Sequence, residues 1–286
     1  MNPWVAGARP RTLPASVSPV LVGTAAAASE GQVVAWRVGA ALVVALALQV
    51  GVNYANDYSD GRRGTDARRQ GPLRLTASGV VTPEAVRTAA IAAFSVAAVA
   101  GLALALAVDL RLILVGAACI AAAALYTGGP RPYGYSGFGE AAVLVFFGFV
   151  ATAGSAYVHL ERLPAVVLVA ALPVGLLACA ILVANNLRDI DTDAAAGKRT
   201  LAVRLGPAGT RFLYRCCVLG AFAAVVGLGL PRPPAWLALL AIPLAVSPLR
   251  LVSTRRDPPS LVAALVGTAR LQLVTSTLLG LGLWQS

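Results

Sequence analysis

Carboxylate and amide side chains are concentrated in residues 53–66. This segment contains Asn53, Asn56, Asp57, Asp60 and Asp66. If a helix runs through it, the first four of these side chains lie at positions i, i+3, i+4 and i+7 and therefore share one helical face. Arg62 and Arg63 follow directly, so acidic and basic groups are interleaved within two helical turns.

A second acidic segment covers residues 185–193. Here Asn185, Asp189 and Asp193 stand at i, i+4 and i+8, which again places them on one face of a helix. Lys198 and Arg199 come next. Both segments thus contain Asn-x-x-x-Asp with basic residues after it, although this similarity is too short to establish an internal repeat.

Clustered carboxylates repel one another unless a cation lies between them. Oxygen ligands without His or Cys favour a hard cation, and open acidic clusters are typical of Mg²⁺ that is shared with phosphate oxygens. The metal ligands predicted in this way are Asn56, Asp57, Asp60, Asp189 and Asp193. The basic residues predicted to bind the same phosphates are Arg62, Arg63, Lys198 and Arg199. Asn53 and Asn185, one turn earlier, are expected to contact the substrate.

The remainder of the chain is strongly apolar. Of its 286 residues 58% are hydrophobic and 12% charged, about half the charged fraction of a soluble domain. Nine apolar runs with at most one charged residue each approach the roughly 20 residues that a membrane-spanning helix needs. They are residues 13–29, 38–56, 88–108, 112–127, 141–158, 163–184, 212–230, 233–249 and 259–284. We therefore expect an all-α integral membrane protein, with residues 1–286 forming one membrane-embedded domain.

The basic residues are distributed unevenly among the predicted loops. The net charge is +11, and with the N-terminus inside, 18 of the 23 basic residues fall on the cytoplasmic side. This asymmetry follows the positive-inside rule and predicts a multi-pass cell-membrane protein with a cytoplasmic N-terminus and an outside C-terminus. Both acidic segments then lie on the cytoplasmic side. Because topology explains most of the basic excess, we do not expect a nucleic-acid partner.

Other interpretations of the acidic segments are weaker. A single Asp-x-x-x-Asp is more often an ordinary solvated helix end with salt bridges, but two such segments favour function. Residues 189–200 resemble the start of an EF-hand, yet Ala194 and Thr200 replace the required glycine and glutamate. The motif of CDP-alcohol phosphotransferases fits residues 57–61 but fails at Gly64, where it requires alanine. Acids, bases and a membrane together indicate a lipid diphosphate as substrate.

Several motifs resemble those of the UbiA-type intramembrane prenyltransferases. They are Ala8–Pro14, Pro19–Gly23, Asn56–Asp60, Gly64–Asp66, Gly71–Arg74, Leu125–Pro130, Tyr133–Glu140, Asn185–Asp189 and Leu201–Gly206. Within that family the sequence is most similar to the branch that prenylates 1,4-dihydroxy-2-naphthoate for menaquinone. The general family pattern would place an acid at position 64, which is Gly64 here; Asp66 comes two residues later.

This resemblance implies about nine helices around a central pocket, with Mg²⁺ as cofactor. It also implies a polyprenyl diphosphate donor, 1,4-dihydroxy-2-naphthoate as acceptor, and loss of the ring carboxylate to give demethylmenaquinone. Asp57, Asp60, Asp66, Asp189 and Asp193 are the catalytic residues that follow from it. Departure of the diphosphate would leave an allylic cation that must be protected from water.

Further substrate-binding candidates lie outside the acidic segments. Tyr126, Tyr133 and Tyr135 could offer π faces to an allylic cation, or could simply anchor the chain at the membrane interface. Arg9 and Arg11 could hold the acceptor carboxylate, and Gln49, one turn before Asn53, could line the pocket. Two alternative functions remain open at this point: a prenyltransferase with another aromatic acceptor, and a cation-coupled membrane transporter.

Overall fold

The structure is a computed structural model that describes residues 2–65 and 73–286. Over those ranges the chain contains helices and no β-strand. Asp66, one of the predicted catalytic residues, lies outside the described residues.

The described helices account for all nine predicted spans. A short helix, α1 (Pro3–Ala8), precedes them. The spans are α2 (Pro14–Ala28), α3 (Ala35–Arg62), α4 (Pro83–Ala107), α5 (Arg111–Leu125), α6 (Gly139–Leu160), α7 (Ala165–Ala195), α8 (Leu201–Gly229), α9 (Pro233–Thr254) and α10 (Pro258–Trp284). Seven of the nine are long and apolar enough to cross a membrane, whereas α2 and α5 are shorter apolar helices.

Both acidic segments lie on helical extensions beyond the apolar runs. The run that ends at residue 56 continues as helix to Arg62 in α3, and the run that ends at residue 184 continues to Ala195 in α7. The condition for the shared faces, an uninterrupted helix, is therefore confirmed. Helix α8 starts earlier than predicted because a short helical stretch precedes a kink, where Gly206 has φ +66° and Pro207 follows.

The nine spans alternate in direction, so the molecule has two ends. We call the end where α3 and α7 finish the motif end, and the opposite end the far end. Contacts between helix ends agree with this arrangement. At the motif end, Arg63 donates to the carbonyl of Thr127 across 2.8 Å. At the far end, Arg37 donates to the carbonyl of Val158 across 2.7 Å.

Helix α7 is the most enclosed span. Its buried residues include Val174, Leu177 and Val183, which belong to two apolar clusters shared with α2, α8 and α10. Helices α4 and α5 are much more exposed, and α5 has no buried residue at all. The second acidic segment is therefore carried on a well-supported helix, while α5 forms a loosely packed wall.

Candidate active site

A large cavity lies within the helical bundle. Its volume is about 1020 Å³, and it is bounded by α2–α7 and α10. Its far part is apolar, with Leu104, Leu112 and Val158 in its wall. Its charged and amide side chains are gathered near the motif end and are those of Arg9, Arg11, Gln49, Asn53, Asn56, Arg74, Asn185 and Arg188. This confirms the predicted central pocket and gives it one polar and one apolar part.

Two predicted residues of α3 hold the N-terminal segment at this polar part. The Asn53 side-chain amide donates to the carbonyl of Ala8 across 2.9 Å, and the Gln49 amide lies 3.5 Å from the hydroxyl of Thr12. The chain between these anchors carries Arg9, which has φ +54°. The Nη2 atom of Arg9 is buried and has no hydrogen-bond partner within the described ranges.

Asp57 binds backbone rather than a side chain. Its two carboxylate oxygens accept hydrogen bonds from the N–H groups of Leu75 and Thr76, each at 2.8 Å. Asp57 itself is 1% exposed. It therefore fixes the chain that follows residue 72, and this chain carries Arg74 to within 4.0 Å of the Asp60 carboxylate.

Asp60 and Asp193 converge on one buried cation. The Nζ atom of Lys198 lies 3.3 Å from Oδ1 of Asp60 and 3.7 Å from Oδ1 of Asp193. The Tyr135 hydroxyl also donates to Oδ1 of Asp60, and the Lys198 ammonium lies 4.6 Å from the centre of the Tyr135 ring. The two acidic segments, distant in sequence, thus meet in space at a single ammonium group.

Asp189 forms a different kind of pair. Arg188 grips it in a bidentate arrangement, with Nε and Nη2 each 2.7 Å from a carboxylate oxygen. Nη2 of Arg188 also donates to Oδ1 of Asn185 across 2.9 Å. Both side chains of the ion pair are at most 5% exposed. Because Arg188 lines the cavity, this arrangement brings a buried guanidinium to its polar part.

The loop between α5 and α6 supplies aromatic rings. Tyr126 and Tyr133 both line the cavity, and their rings meet edge to face with centroids 5.4 Å apart. The Tyr133 hydroxyl donates to the carbonyl of Ala122 across 2.8 Å, and burial raises its pKa to about 12. Gly134 is required here, because a Cβ on it would lie 2.6 Å from the Tyr126 carbonyl oxygen.

Three of the residues predicted to bind phosphate, Arg62, Arg63 and Arg199, do not line the cavity. Arg62 is exposed and donates to the Tyr58 hydroxyl across 3.1 Å. Arg63 donates to the carbonyls of Thr127 and Gly129, so it holds the tyrosine-bearing loop. Arg199 is exposed as well. Of the four predicted phosphate-binding residues, the structure brings only Lys198 into the buried polar cluster.

The residues fit a magnesium ion that has few protein ligands. Within the described ranges no three acidic, His or Cys side chains converge as a metal cage. Two carboxylates, of Asp60 and Asp193, do converge on a common cationic group. Mg²⁺ in proteins is commonly held by one or two carboxylates together with water and substrate phosphates. The Asn56 amide oxygen lies nearby on the same face of α3 and accepts from the Thr127 hydroxyl at 2.7 Å.

Sequence reasoning did not select several residues that the structure brings to the site. They are Arg74, Thr127, Tyr135 as an Asp60 partner, and Arg188 as a cavity residue. Arg188 is adjacent to Asp189 in sequence, which could have drawn attention to it. Arg74 ends the Gly71–Arg74 motif, but its place beside Asp60 depends on the contact of Asp57 with the backbone of Leu75 and Thr76.

The protein combines an all-helical membrane fold with a buried cluster of acidic and basic residues beside an apolar cavity. This combination is that of an enzyme embedded in the membrane. Residues 16–274 match the UbiA prenyltransferase family, and the chain belongs to that family. It is 52% identical to the 1,4-dihydroxy-2-naphthoate octaprenyltransferase of Mycobacterium tuberculosis, over 95% of this chain and 93% of that protein. It is 38% identical to the Escherichia coli protein of the same name, over 99% and 95% of the two chains.

Solved structures support the fold. A UbiA homolog from Archaeoglobus fulgidus bound to GPP and Mg²⁺ aligns with a TM-score of 0.65 at 14% identity, covering 97% of this chain and 99% of that one. The apo UbiA homolog from Aeropyrum pernix aligns with a TM-score of 0.66 at 15% identity, covering 94% and 96%. The expected family and architecture are thereby confirmed.

Proposed function

We propose that this protein transfers a polyprenyl group from polyprenyl diphosphate to 1,4-dihydroxy-2-naphthoate. The allylic C–O bond of the donor breaks, a C–C bond forms to the naphthoate ring, and the ring carboxylate leaves as CO₂. Diphosphate is the other product. No oxidant takes part, so the direct product is the hydroquinone form of demethylmenaquinone.

One observation carries this proposal. Acids from both segments meet at Lys198, and two arginines that contact these segments, Arg74 beside Asp60 and Arg188 beside Asp189, line an apolar cavity of about 1020 Å³. A charged head group and a long hydrocarbon chain require such a combination. The names of relatives with 52% and 38% identity support the choice of acceptor.

The charged residues divide between the donor head group and the metal. We assign Asp60 and Asp193 as ligands of Mg²⁺, with Asn56, Asp57 and Asp189 as further candidate ligands. Mg²⁺ bound there would supply positive charge that stabilises the departing diphosphate. Arg74 and Lys198 lie beside Asp60 and are the nearest cationic groups for the diphosphate oxygens.

The cavity walls protect the reacting carbon from water. Phe146 and Phe147 of α6 line the cavity together with Tyr126 and Tyr133, so aromatic faces surround the space below the polar cluster. Such faces attract cations. The phenol of Tyr133 is protonated at neutral pH, as an ordinary phenol is, and burial raises its pKa further, so it adds no negative charge that could capture the allylic group.

The acceptor carboxylate needs a cation at the polar part of the cavity. Arg9 offers a buried Nη2 atom without a hydrogen-bond partner in the described structure, and Arg9 and Arg11 both line the cavity. We assign these two arginines to the acceptor, with Gln49 and Asn53 fixing the chain that carries them.

We assign the motif end to the cytoplasm from the distribution of basic residues. Basic residues lie predominantly at this end, as the positive-inside rule requires of a cytoplasmic face. Reporter fusions after residue 256 and after residue 286 test the assignment. We expect a cytoplasmic signal from the first fusion and an outside signal from the second, and the opposite pattern would contradict it.

The decisive experiment is mass spectrometry of products formed by the purified protein. The donors are polyprenyl diphosphates of several lengths, and the acceptors are 1,4-dihydroxy-2-naphthoate, 4-hydroxybenzoate and homogentisate, each with and without Mg²⁺. We expect a decarboxylated prenyl naphthalene product that requires Mg²⁺. Product from another acceptor alone would change the acceptor assignment, and no product with any pair would contradict prenyl transfer.

A further inference from the structure

Lys198 is the only lysine in a chain that contains 23 basic residues. Its side chain is only 9% exposed. Lysine is rarely buried to this degree unless it is paired with an acid. The partners here are Asp60 of α3 and Asp193 of α7. Among the described residues, Lys198 thus contacts one carboxylate from each of the two acidic segments.

The end of α7 places Lys198 by a Schellman turn. Gly197 has φ +75°, and its N–H donates to the carbonyl of Ala194 at 3.0 Å, while the N–H of Lys198 donates to the carbonyl of Asp193 at 2.9 Å. These two bonds are the paired bonds of that motif. The turn folds the chain back so that Lys198 lies beside Asp193, and glycine permits the positive φ.

A second contact holds the other side of this turn. The N–H of Arg199 donates to the carbonyl of Tyr135 at 2.8 Å, and the ring of Tyr135 faces the Lys198 ammonium at 4.6 Å. The backbone around Lys198 is therefore fixed at both neighbours. Its side chain, with four rotatable carbons, is the part that can move.

Mg²⁺ and the Lys198 ammonium require the same oxygen atoms. Without a cation between them, the Asp60 and Asp193 carboxylates would repel each other in a buried setting. We infer that Lys198 is a built-in counter-ion that keeps the two acidic segments together before metal binds and then releases Asp60 and Asp193 to Mg²⁺. This inference rests on the proposed function, since it takes these acids as the metal site.

The released ammonium remains close to the site because its backbone is fixed. Diphosphate oxygens brought in with the metal are then its nearest strong acceptors. Lysine suits this double role better than arginine, because its compact point charge lies on a flexible stem, whereas the planar guanidinium pairs in fixed geometry. Arg188 illustrates the contrast, since its two bonds to Asp189 hold that carboxylate in one orientation.

Removal of the positive charge of Lys198 should strengthen metal binding. Lys198→Met removes the cation that contacts both Asp60 and Asp193, so we expect the substrate-free protein to bind Mn²⁺, a paramagnetic substitute for Mg²⁺, about tenfold more tightly than wild type. With Mn²⁺ saturating, we expect it to bind inorganic pyrophosphate about tenfold more weakly. Electron paramagnetic resonance of free Mn²⁺ measures the first quantity, and calorimetry measures the second.

Arg131→Met is the matched control. Arg131 is exposed in the loop that carries Tyr135. Its substitution therefore removes one positive charge at the same end of the molecule and leaves the contacts of Asp60 and Asp193 unchanged. Its Mn²⁺ affinity should stay within about twofold of wild type, because exposed charges are well screened. If Lys198→Met is too unstable to purify, Lys198→Gln keeps a polar side chain without the charge and repeats the test.

The outcomes separate this inference from the proposed function. Mn²⁺ affinity in Lys198→Met that equals or falls below wild type would overturn the competition. Unchanged pyrophosphate affinity would overturn the second role of the ammonium. Both measurements omit prenyl donor and acceptor, so failure of prenyl transfer contradicts the proposed function while leaving these binding results intact.

Discussion

Ion pairs occur at both ends of the helical bundle, but they differ in burial and in what surrounds them. At the far end, Glu30 pairs with Arg162 and Arg232, whose side chains are 58% and 23% exposed. At the motif end, the Asp60 and Lys198 side chains are 6% and 9% exposed. The far-end pairs connect helix ends and line no part of the large cavity, whereas the motif-end cluster lies directly beyond its polar lining.

This difference separates partly exposed charges that connect helix ends from buried charges that are available for chemistry. Exposed pairs contribute little to stability because water and salt screen them. Buried charges are costly to desolvate, and a protein that keeps several of them beside a cavity has a reason other than stability. The comparison therefore predicts that substitutions at the two ends affect different measurements.

The largest effect is expected at Asp60. Asp60→Asn keeps the size of the side chain but removes the charge shared by Arg74, Lys198 and the proposed metal. We expect prenyl transfer to fall by at least about 100-fold, in the range seen when one electrostatic group of an active site is removed. Steady-state rates measured on folded protein test this. A rate within a few-fold of wild type would remove Asp60 from the site and weaken the distinction between the two ends.

Asp57→Asn should have the next largest effect, for a different reason. The substitution leaves one of the two N–H groups, of Leu75 or Thr76, without its acceptor, so the chain that carries Arg74 loses one of its two hydrogen bonds to residue 57. We expect activity to fall about 10- to 100-fold, as for groups that orient site residues, together with a lower melting temperature.

Metal binding distinguishes Asp57 from Asp60. If Asp57 acts mainly on the backbone, Mn²⁺ affinity should fall less in Asp57→Asn than in Asp60→Asn. An equal or larger loss in Asp57→Asn would show that Asp57 is a metal ligand in its own right, as the sequence predicts.

A substitution in the apolar part of the cavity should alter donor preference. Gly154 lines the cavity, and a Cβ built on it meets no atom within 4 Å. Gly154→Leu should therefore extend into the cavity without a clash and reduce transfer of long donors about tenfold relative to short ones. Competition between donors of two lengths, analysed by mass spectrometry, measures this ratio.

Gly39→Leu is the matched control for the cavity substitution. Gly39 lies in α3 near the far end, and a Cβ added to it would also meet no atom within 4 Å. Because Gly39 does not line the cavity, its substitution should leave the donor ratio unchanged. A change of donor ratio in both variants would indicate a general effect of leucine on the bundle.

The sequence is sufficient to predict features that depend on local periodicity. Apolar runs predict nine helices, and the shared faces of the Asn and Asp residues require only that α3 and α7 continue as helices, which they do as far as Arg62 and Ala195. The same repeat puts Gln49 one turn from Asn53, a position that fits either the pocket or helix packing, and the structure places Gln49 in the cavity wall. Each of these inferences needs only the helical repeat.

Features that depend on contacts between distant segments are not predictable in the same way. Nothing near Asp57 indicates that Leu75 and Thr76 donate to it, because that contact requires the chain to return after residue 72. The ion pair of Arg188 with Asp189 is difficult to predict for a different reason. The two residues are neighbours in sequence, yet adjacent residues of a helix do not normally face each other. The Schellman turn at Gly197 is partly predictable from the sequence. Its glycine is a local signal, whereas the burial of Lys198 after it depends on contact with α3.

The smallest effect is expected at the far end. Glu30→Gln removes the partner of Arg162 and Arg232, and the expected loss of stability is about 0.5–1 kcal/mol, because these pairs are partly exposed. Prenyl transfer and Mn²⁺ affinity should remain within about twofold of wild type, since screening limits the reach of such charges. Thermal unfolding in detergent and a parallel activity assay give both numbers. A large loss of activity without a loss of stability would mean that the far end also serves the reaction, and the division between the two ends would have to be abandoned.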